Sequence, residues 1–206
     1  MLSGINIQNI LEAFGVISGI TCFYLAGKNN IWCWPTTIIS SICYMIVSLD
    51  AKLYADTCLE LYFIITGFYG WYFWNRYTTS GVRAPIRYLK SKEIKLLIVA
   101  VIAFSVLLGL LLKYYTDASF PLIDSFCTVC SVFATIFLAR KIMENWLLWI
   151  LVDTIYIGIY IAKDLNMMAA MGMFYIYVYI TAYRDWKKEC RLQNINTVEE
   201  ALSEYA

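Results

Sequence analysis

Histidine is absent from this sequence. Its absence removes the usual general base, the imidazole metal ligand and any Ser-His or Cys-His nucleophile pair. Charge is scarce: 15% of the 206 residues are charged, where a soluble domain carries about 25%. The net charge of +1 leaves no basic footprint for nucleic acid. No HExxH, GxSxG or paired-aspartate pattern occurs, so no enzyme is expected. Cys127 and Cys130 form a CxxC, but it lies in an apolar run with no second pair. They read as small core residues, and neither a metal nor a cofactor is expected. The first residues hold no basic stretch, so no cleavable signal is expected. Apolar residues are what the chain has in plenty. They make up 61% of it, with mean hydropathy +0.64, which is the composition of a polytopic membrane protein.

Seven apolar runs are long enough to cross a bilayer, some of them barely. They cover roughly 9–27, 31–48, 54–75, 94–112, 120–139, 145–162 and 165–184. A polar tail, 185–206, follows. Orientation follows from the basic residues in the connections. With the N-terminus outside, Lys52, Lys113 and Lys163 are the only basic residues outside, and the other thirteen of the 16 are inside. The C-terminus is then cytoplasmic. The connection 75–95, with its basic cluster and Pro85, is expected at the anionic cytoplasmic leaflet.

The chain echoes itself. Trp32 and Trp146 each open a span after a short basic loop, and at the same offset of 114 Asp164 falls on Asp50. Trp71 is matched within one residue by Trp186. This spacing predicts two three-helix repeats, about 9–75 and about 120–184, with 94–112 as a linker helix. The whole is one transmembrane domain in a 3+1+3 parallel arrangement. Parallel repeats of this kind place a substrate site at their interface near mid-membrane, worked by rocking of one unit against the other.

The candidate site begins on the sixth run. Trp146, Trp149, Asp153, Tyr156 and Tyr160 recur at i, i+3, i+7, i+10 and i+14, one face of a helix. A carboxylate at that depth costs roughly 2.5–3.5 kcal/mol on insertion scales unless something compensates it. Aromatic faces are natural neighbours for a cation. Two readings stand: a site for a flat cationic molecule, or a packing face whose aspartate bonds to another helix. The third run places Glu60 one turn below Asp56, with Trp71 on the same face. Met171 and Tyr175 lie on a sulfur-and-phenol stripe of the seventh run, which suits a heteroaromatic ring or a packed core equally. Asp56 and Asp124 are candidate entry residues. Thr37, Ser40, Ser41 and Tyr44 give the second run a weakly polar face, more typical of helix-helix contact than of a ligand wall.

The run WCWPT…LDAKLYADTCLELYFIITGFYGWYFW from Trp32 to Trp74, with ENWLLWILVD at 144–153 and YRDWKK at 183–188, resembles the bacterial Pnu vitamin transporters. The resemblance covers nearly the whole chain. It implies a seven-helix fold of 3+1+3 layout, similar to the SWEET-like sugar-transporter fold. It implies facilitated diffusion of an unphosphorylated B vitamin across the bacterial inner membrane, trapped by a cytoplasmic vitamin kinase. It also implies a homo-oligomer among membrane lipid, a trimer being the candidate state. In the nicotinamide riboside branch the positions of Glu60 and Asp153 are typically Gln and Asn. Two acids there resemble the thiamine-type branch more, so thiamine is the expected cationic substrate and nicotinamide riboside the alternative. Which acid faces which ring, and whether either carries a proton, stays open.

Overall fold

The structure, a computed structural model, describes residues 7–52, 54–79, 85–115 and 120–204. Seven helices account for nearly all of it: α1 Ile7–Gly27, α2 Cys33–Asp50, α3 Tyr54–Thr79, α4 Ser91–Tyr115, α5 Pro121–Ala139, α6 Asn145–Ala162 and α7 Asn166–Glu204. Among the described residues, α1, α2, α4, α5 and α6 are long and apolar enough to cross a membrane. α3 and α7 have the length, 26 and 39 residues, but are more polar.

Short turns set the architecture. α1 ends in a left-handed residue, Asn29 at φ 55°, and α5 in another, Lys141 at φ 54°. Asn29 N–H bonds to the Ala26 carbonyl and Asn30 N–H to that of Leu25; Lys141 bonds to Leu138 and Ile142 to Phe137 in the same way. This double bond pattern closes a helix C-terminus and turns the chain sharply. Lys52 and Asp164, both at φ 58°, turn the chain again after α2 and α6. Both pairs of turns are 112 residues apart, and so are the starts of α2 and α6, each of 18 residues. The echo in the sequence is therefore offset by 112, not 114. Trp34 corresponds to Trp146, not Trp32, and Trp74 to Trp186, not Trp71. Trp32 is largely exposed, whereas these four indoles are buried.

The four lie together in one core cluster. Trp34 meets Trp74 edge-on at 5.5 Å and 89°, and Trp146 meets Trp186 edge-on at 5.4 Å and 89°. Trp74 and Trp186 are 6.3 Å apart. Trp74 Nε1 donates to the Ala139 carbonyl at 3.0 Å, and Trp186 Nε1 to that of Ala26 at 2.9 Å. Trp74 and Trp186 thus each satisfy their one donor at the end of a helix far away in sequence. Gly70 is required here, because a Cβ at that position would run into the Trp34 ring. Lys141 is buried with Nζ 4.4 Å from the Trp74 ring centre, a cation-π contact.

α1 packs on α2 and α2 on α3; α5 packs on α6 and α6 on α7. The two groups meet through α1 with α7 and α3 with α5, and α4 packs on α5. α4 turns Leu96, Val99 and Leu107 outward as exposed hydrocarbon, which suits lipid. α7 runs on without a break past residue 185 to Glu204. Trp186 and Cys190 are buried, and Gln193 accepts from Ile86 N–H at 3.0 Å. The end of the long connection is stitched in by Arg87, whose N–H and carbonyl pair with Lys141 and Met143. Arg83 of that connection lies outside the described residues. At the same end, Asp185 sits 2.8 Å from Lys28 and holds its ammonium above the usual lysine range.

Candidate functional site

Two chambers lie between the helix groups, one above the other. The inner one, of about 180 Å³, has its floor on the tryptophan core, with Trp34 and Trp149 in its wall. Cys22 and Phe23 of α1, Thr37, Ser40, Ser41 and Tyr44 of α2, Glu60 and Phe63 of α3 and Tyr175 of α7 complete most of the lining. Phe23 stands edge-on to Trp149 at 5.2 Å and to Tyr175 at 5.8 Å. Glu60 pairs with the Ser41 hydroxyl. The indole N–H groups of Trp34 and Trp149 are buried and have no hydrogen-bond partner among the described residues. The chamber therefore presents two donors, one carboxylate and several aromatic faces. Buried polar groups are normally satisfied, so unmatched ones in a cavity wall suit a polar ligand.

The outer chamber, of about 540 Å³, opens toward the start of α1 and the turns after α2 and α6. Glu12, Val16, Val47, Asp153, Tyr156, Tyr160, Met168, Met171 and Gly172 line it. Tyr156 and Tyr160 stack at 6.0 Å and 17°. The Tyr179 hydroxyl faces Asp153, yet Asp153 Oδ2 is buried with no hydrogen-bond partner among the described residues. Tyr44 and Tyr175 line both chambers. No lysine or arginine is among the described residues lining either one. The path is acidic and aromatic throughout, which favours a flat cation and disfavours a phosphate.

The stripe on α6 is real but divides along its length. Trp149 enters the inner chamber, and Asp153, Tyr156 and Tyr160 enter the outer one. Trp146 lines neither. It is fully buried against Trp186, because the first turn of α6 lies at the helix end that α7 covers. Trp71 lines neither chamber and is 39% exposed. Gly67 and Gly70 mark the side of α3 pressed on α2, and Trp71, one residue on, is turned about 100° from Gly70. Asp56 is exposed and Asp124 half-buried, and neither reaches a chamber wall. Glu60 lines the inner chamber, Met171 the outer one and Tyr175 both. The polar face of α2 does both things at once: Ser40 donates to the Gly15 carbonyl at 2.8 Å and also lines the inner chamber. Sequence spacing does not single out Trp34 or Glu12. The only available signals were a second indole beside Trp32 and a lone acid in the first apolar run. No three His, Cys, Asp or Glu side chains gather into a metal-holding group among the described residues.

Residues 9–188 match the family model described as nicotinamide mononucleotide transporter. The chain is 27% identical over 206 aligned residues to the nicotinamide riboside transporter PnuC of Escherichia coli (strain K12), covering 88% of this chain and 86% of that one. It is 25% identical over 178 residues to the riboflavin/roseoflavin transporter RibM of Streptomyces davaonensis, covering 85% and 83%. The crystal structure of the vitamin B3 transporter PnuC has the same fold. It aligns at TM-score 0.72 and 22% identity over 90% of this chain and 84% of that one.

Proposed function

This chain belongs to the nicotinamide mononucleotide transporter family, and from that premise we propose that it carries nicotinamide riboside across the bacterial inner membrane. The class is not in question: it is a multi-pass membrane vitamin transporter, like its curated relatives. One observation carries the choice of substrate. Both chambers are lined by carboxylates and aromatic rings with no basic side chain among the described residues. A pyridinium riboside meets attraction there. A mononucleotide would bring a phosphate with no arginine or lysine to pair it, against three acids, so the unphosphorylated form is favoured. The name of the Escherichia coli relative supports the same vitamin. Thiamine is the second reading. Glu60 and Asp153 favour it, since two carboxylates match a thiazolium charge and an aminopyrimidine.

Transport proceeds by facilitated diffusion with alternating access, and a cytoplasmic kinase traps the product. The repeats about 9–75 and about 120–184 move against each other, with 94–112 as the linker of a 3+1+3, SWEET-like bundle. The turns and tryptophan pairs repeating at 112 residues support that layout. All seven helices cross the membrane, N-terminus out and C-terminus in, as the basic residues suggest. The working unit is a homo-oligomer.

The test is counterflow in proteoliposomes preloaded with unlabelled nicotinamide riboside. Labelled nicotinamide riboside is expected to enter and to be displaced by the unlabelled riboside but not by the mononucleotide. Displacement by thiamine at lower concentration than by the riboside would transfer the assignment to the second reading. Equal displacement by the mononucleotide would overturn the charge argument itself.

A further inference from the structure

The two chambers are not one pocket. Among the described residues lining them they share only Tyr44 and Tyr175, one ring from α2 and one from α7. Tyr44 lies over Gly15, where a Cβ would sit 3.1 Å from its ring. Tyr175 is held by stacking on Tyr179 at 6.0 Å and 18° and by the edge of Phe23. Each chamber also has its own acid and its own aromatic wall. The inner has Glu60 with Trp34 and Trp149; the outer has Asp153 with the stacked pair Tyr156 and Tyr160. Glu12 stands across the outer chamber on α1, exposed. A volume of 540 Å³ is that of a small-molecule site.

We infer that the outer chamber is a second binding station for an aromatic cation, in series with the inner one and parted from it by Tyr44 and Tyr175. The inference rests on the proposed transport of a cationic vitamin. In the outer station the ring lies along the Tyr156–Tyr160 face, and Asp153 and Glu12 supply the opposing charge. Glu12 is solvent-exposed, so its contribution is screened by salt. Its role is capture rather than tight binding, raising the local concentration of cation at the mouth. The inner station, smaller and with Trp34 and Trp149 in its wall, holds the ring before the molecule turns inward. A loading station of this kind lets the second cation arrive while the first is still bound.

The fluorophores allow the two stations to be counted separately. Trp34 and Trp149 line the inner chamber, and no tryptophan is among the described residues lining the outer one. The experiment titrates the purified full-length chain with nicotinamide riboside at low ionic strength, by calorimetry and by tryptophan fluorescence. Calorimetry is expected to give two sites per chain, and quenching one. Glu12→Gln is expected to weaken the extra calorimetric site about three- to fivefold, with a smaller shift in the quenching constant. Added salt should weaken the same site in the wild type and hardly at all in the variant. One site by both methods would overturn the inference and leave the transport reading standing, as would a Glu12→Gln shift equal in both. Neither heat nor quenching would overturn the transport reading as well.

Discussion

Asp153→Ala is expected to lower uptake of the cationic vitamin by at least tenfold without lowering the thermal stability of the protein. The two halves of this expectation have one cause. Asp153 Oδ2 is buried at the wall of the outer chamber with no hydrogen-bond partner among the described residues, the carboxylate's one contact being the Tyr179 hydroxyl. A carboxylate in that position costs free energy in the empty protein, since its lost hydration is incompletely replaced. Removing it ends that cost but also takes the partner from the buried Tyr179 hydroxyl, and the two effects offset, so the fold stays about as stable as before. With a cation on the path, the same carboxylate is the charge that the cation meets. Truncating one partner of a desolvated charge pair typically costs about 2–5 kcal/mol. The chamber is open to water, so the lower end applies, which is still more than tenfold. The packing alternative makes the opposite forecast on both counts. An aspartate that only joined helices would leave uptake per folded molecule unchanged and lower the melting temperature when removed. Vesicle uptake normalised to folded protein, beside thermal unfolding of the same preparation, separates them. Asp153→Asn then addresses the vitamin. It restores the amide that the resemblance associates with nicotinamide riboside, so uptake of that riboside should recover part of the alanine variant's loss if that is the substrate, since the amide still hydrogen-bonds although the charge is gone. A loss as deep as that of the alanine variant would count for thiamine.

Trp186→Ala is expected to be the most destabilising change in the chain's core. Trp186 is fully buried on the extended part of α7. It stands edge-on to Trp146, 6.3 Å from Trp74, and donates to the Ala26 carbonyl across 160 residues of sequence. Removing a buried indole leaves a large cavity and typically costs about 3–5 kcal/mol. Here the cost is also concentrated where the helix groups join, because Trp74 and Trp186 both bond across to a distant helix end. Trp186→Phe should recover most of the packing and lose about 1 kcal/mol for the missing N–H. Trp32→Ala is the control, since that ring is 63% exposed and touches the core little. Thermal unfolding in detergent checks the ranking. A melting temperature for Trp186→Ala equal to that of Trp32→Ala would mean that the four indoles are not the structural centre described above.

The legible part of this protein is the part that depends on neighbours along the chain. Apolar runs mark helices that must satisfy their backbone groups internally, and the runs from 31 to 48 and 145 to 162 lie within two residues of α2 and α6. The stripe of Trp149, Asp153, Tyr156 and Tyr160 is legible because 3.6 residues per turn fixes which side chains share a face. Periodicity does not say how far each helix is rotated about its axis or what covers each end. That is why Trp146 and Trp149, equivalent on the stripe, differ in fate: α7 closes over the first, and a chamber opens beside the second. It is also why Trp71 reads as a ligand residue and proves to face outward, while Trp34 reads as a neighbour of Trp32 and proves to be a chamber wall. The echo was visible in the sequence, but the offset of 112 came from two pairs of left-handed turns, a backbone feature that residue identity scarcely marks when the four residues are Asn, Lys, Lys and Asp. By itself the sequence determined the class, the helices and the presence of acids within them. It takes the packing of α2, α3, α6 and α7 to put Glu60 and Asp153 in the linings of two different chambers, with Tyr44 and Tyr175 in both. That arrangement depends on a ring from α2 meeting a ring from α7, and no local pattern encodes the meeting.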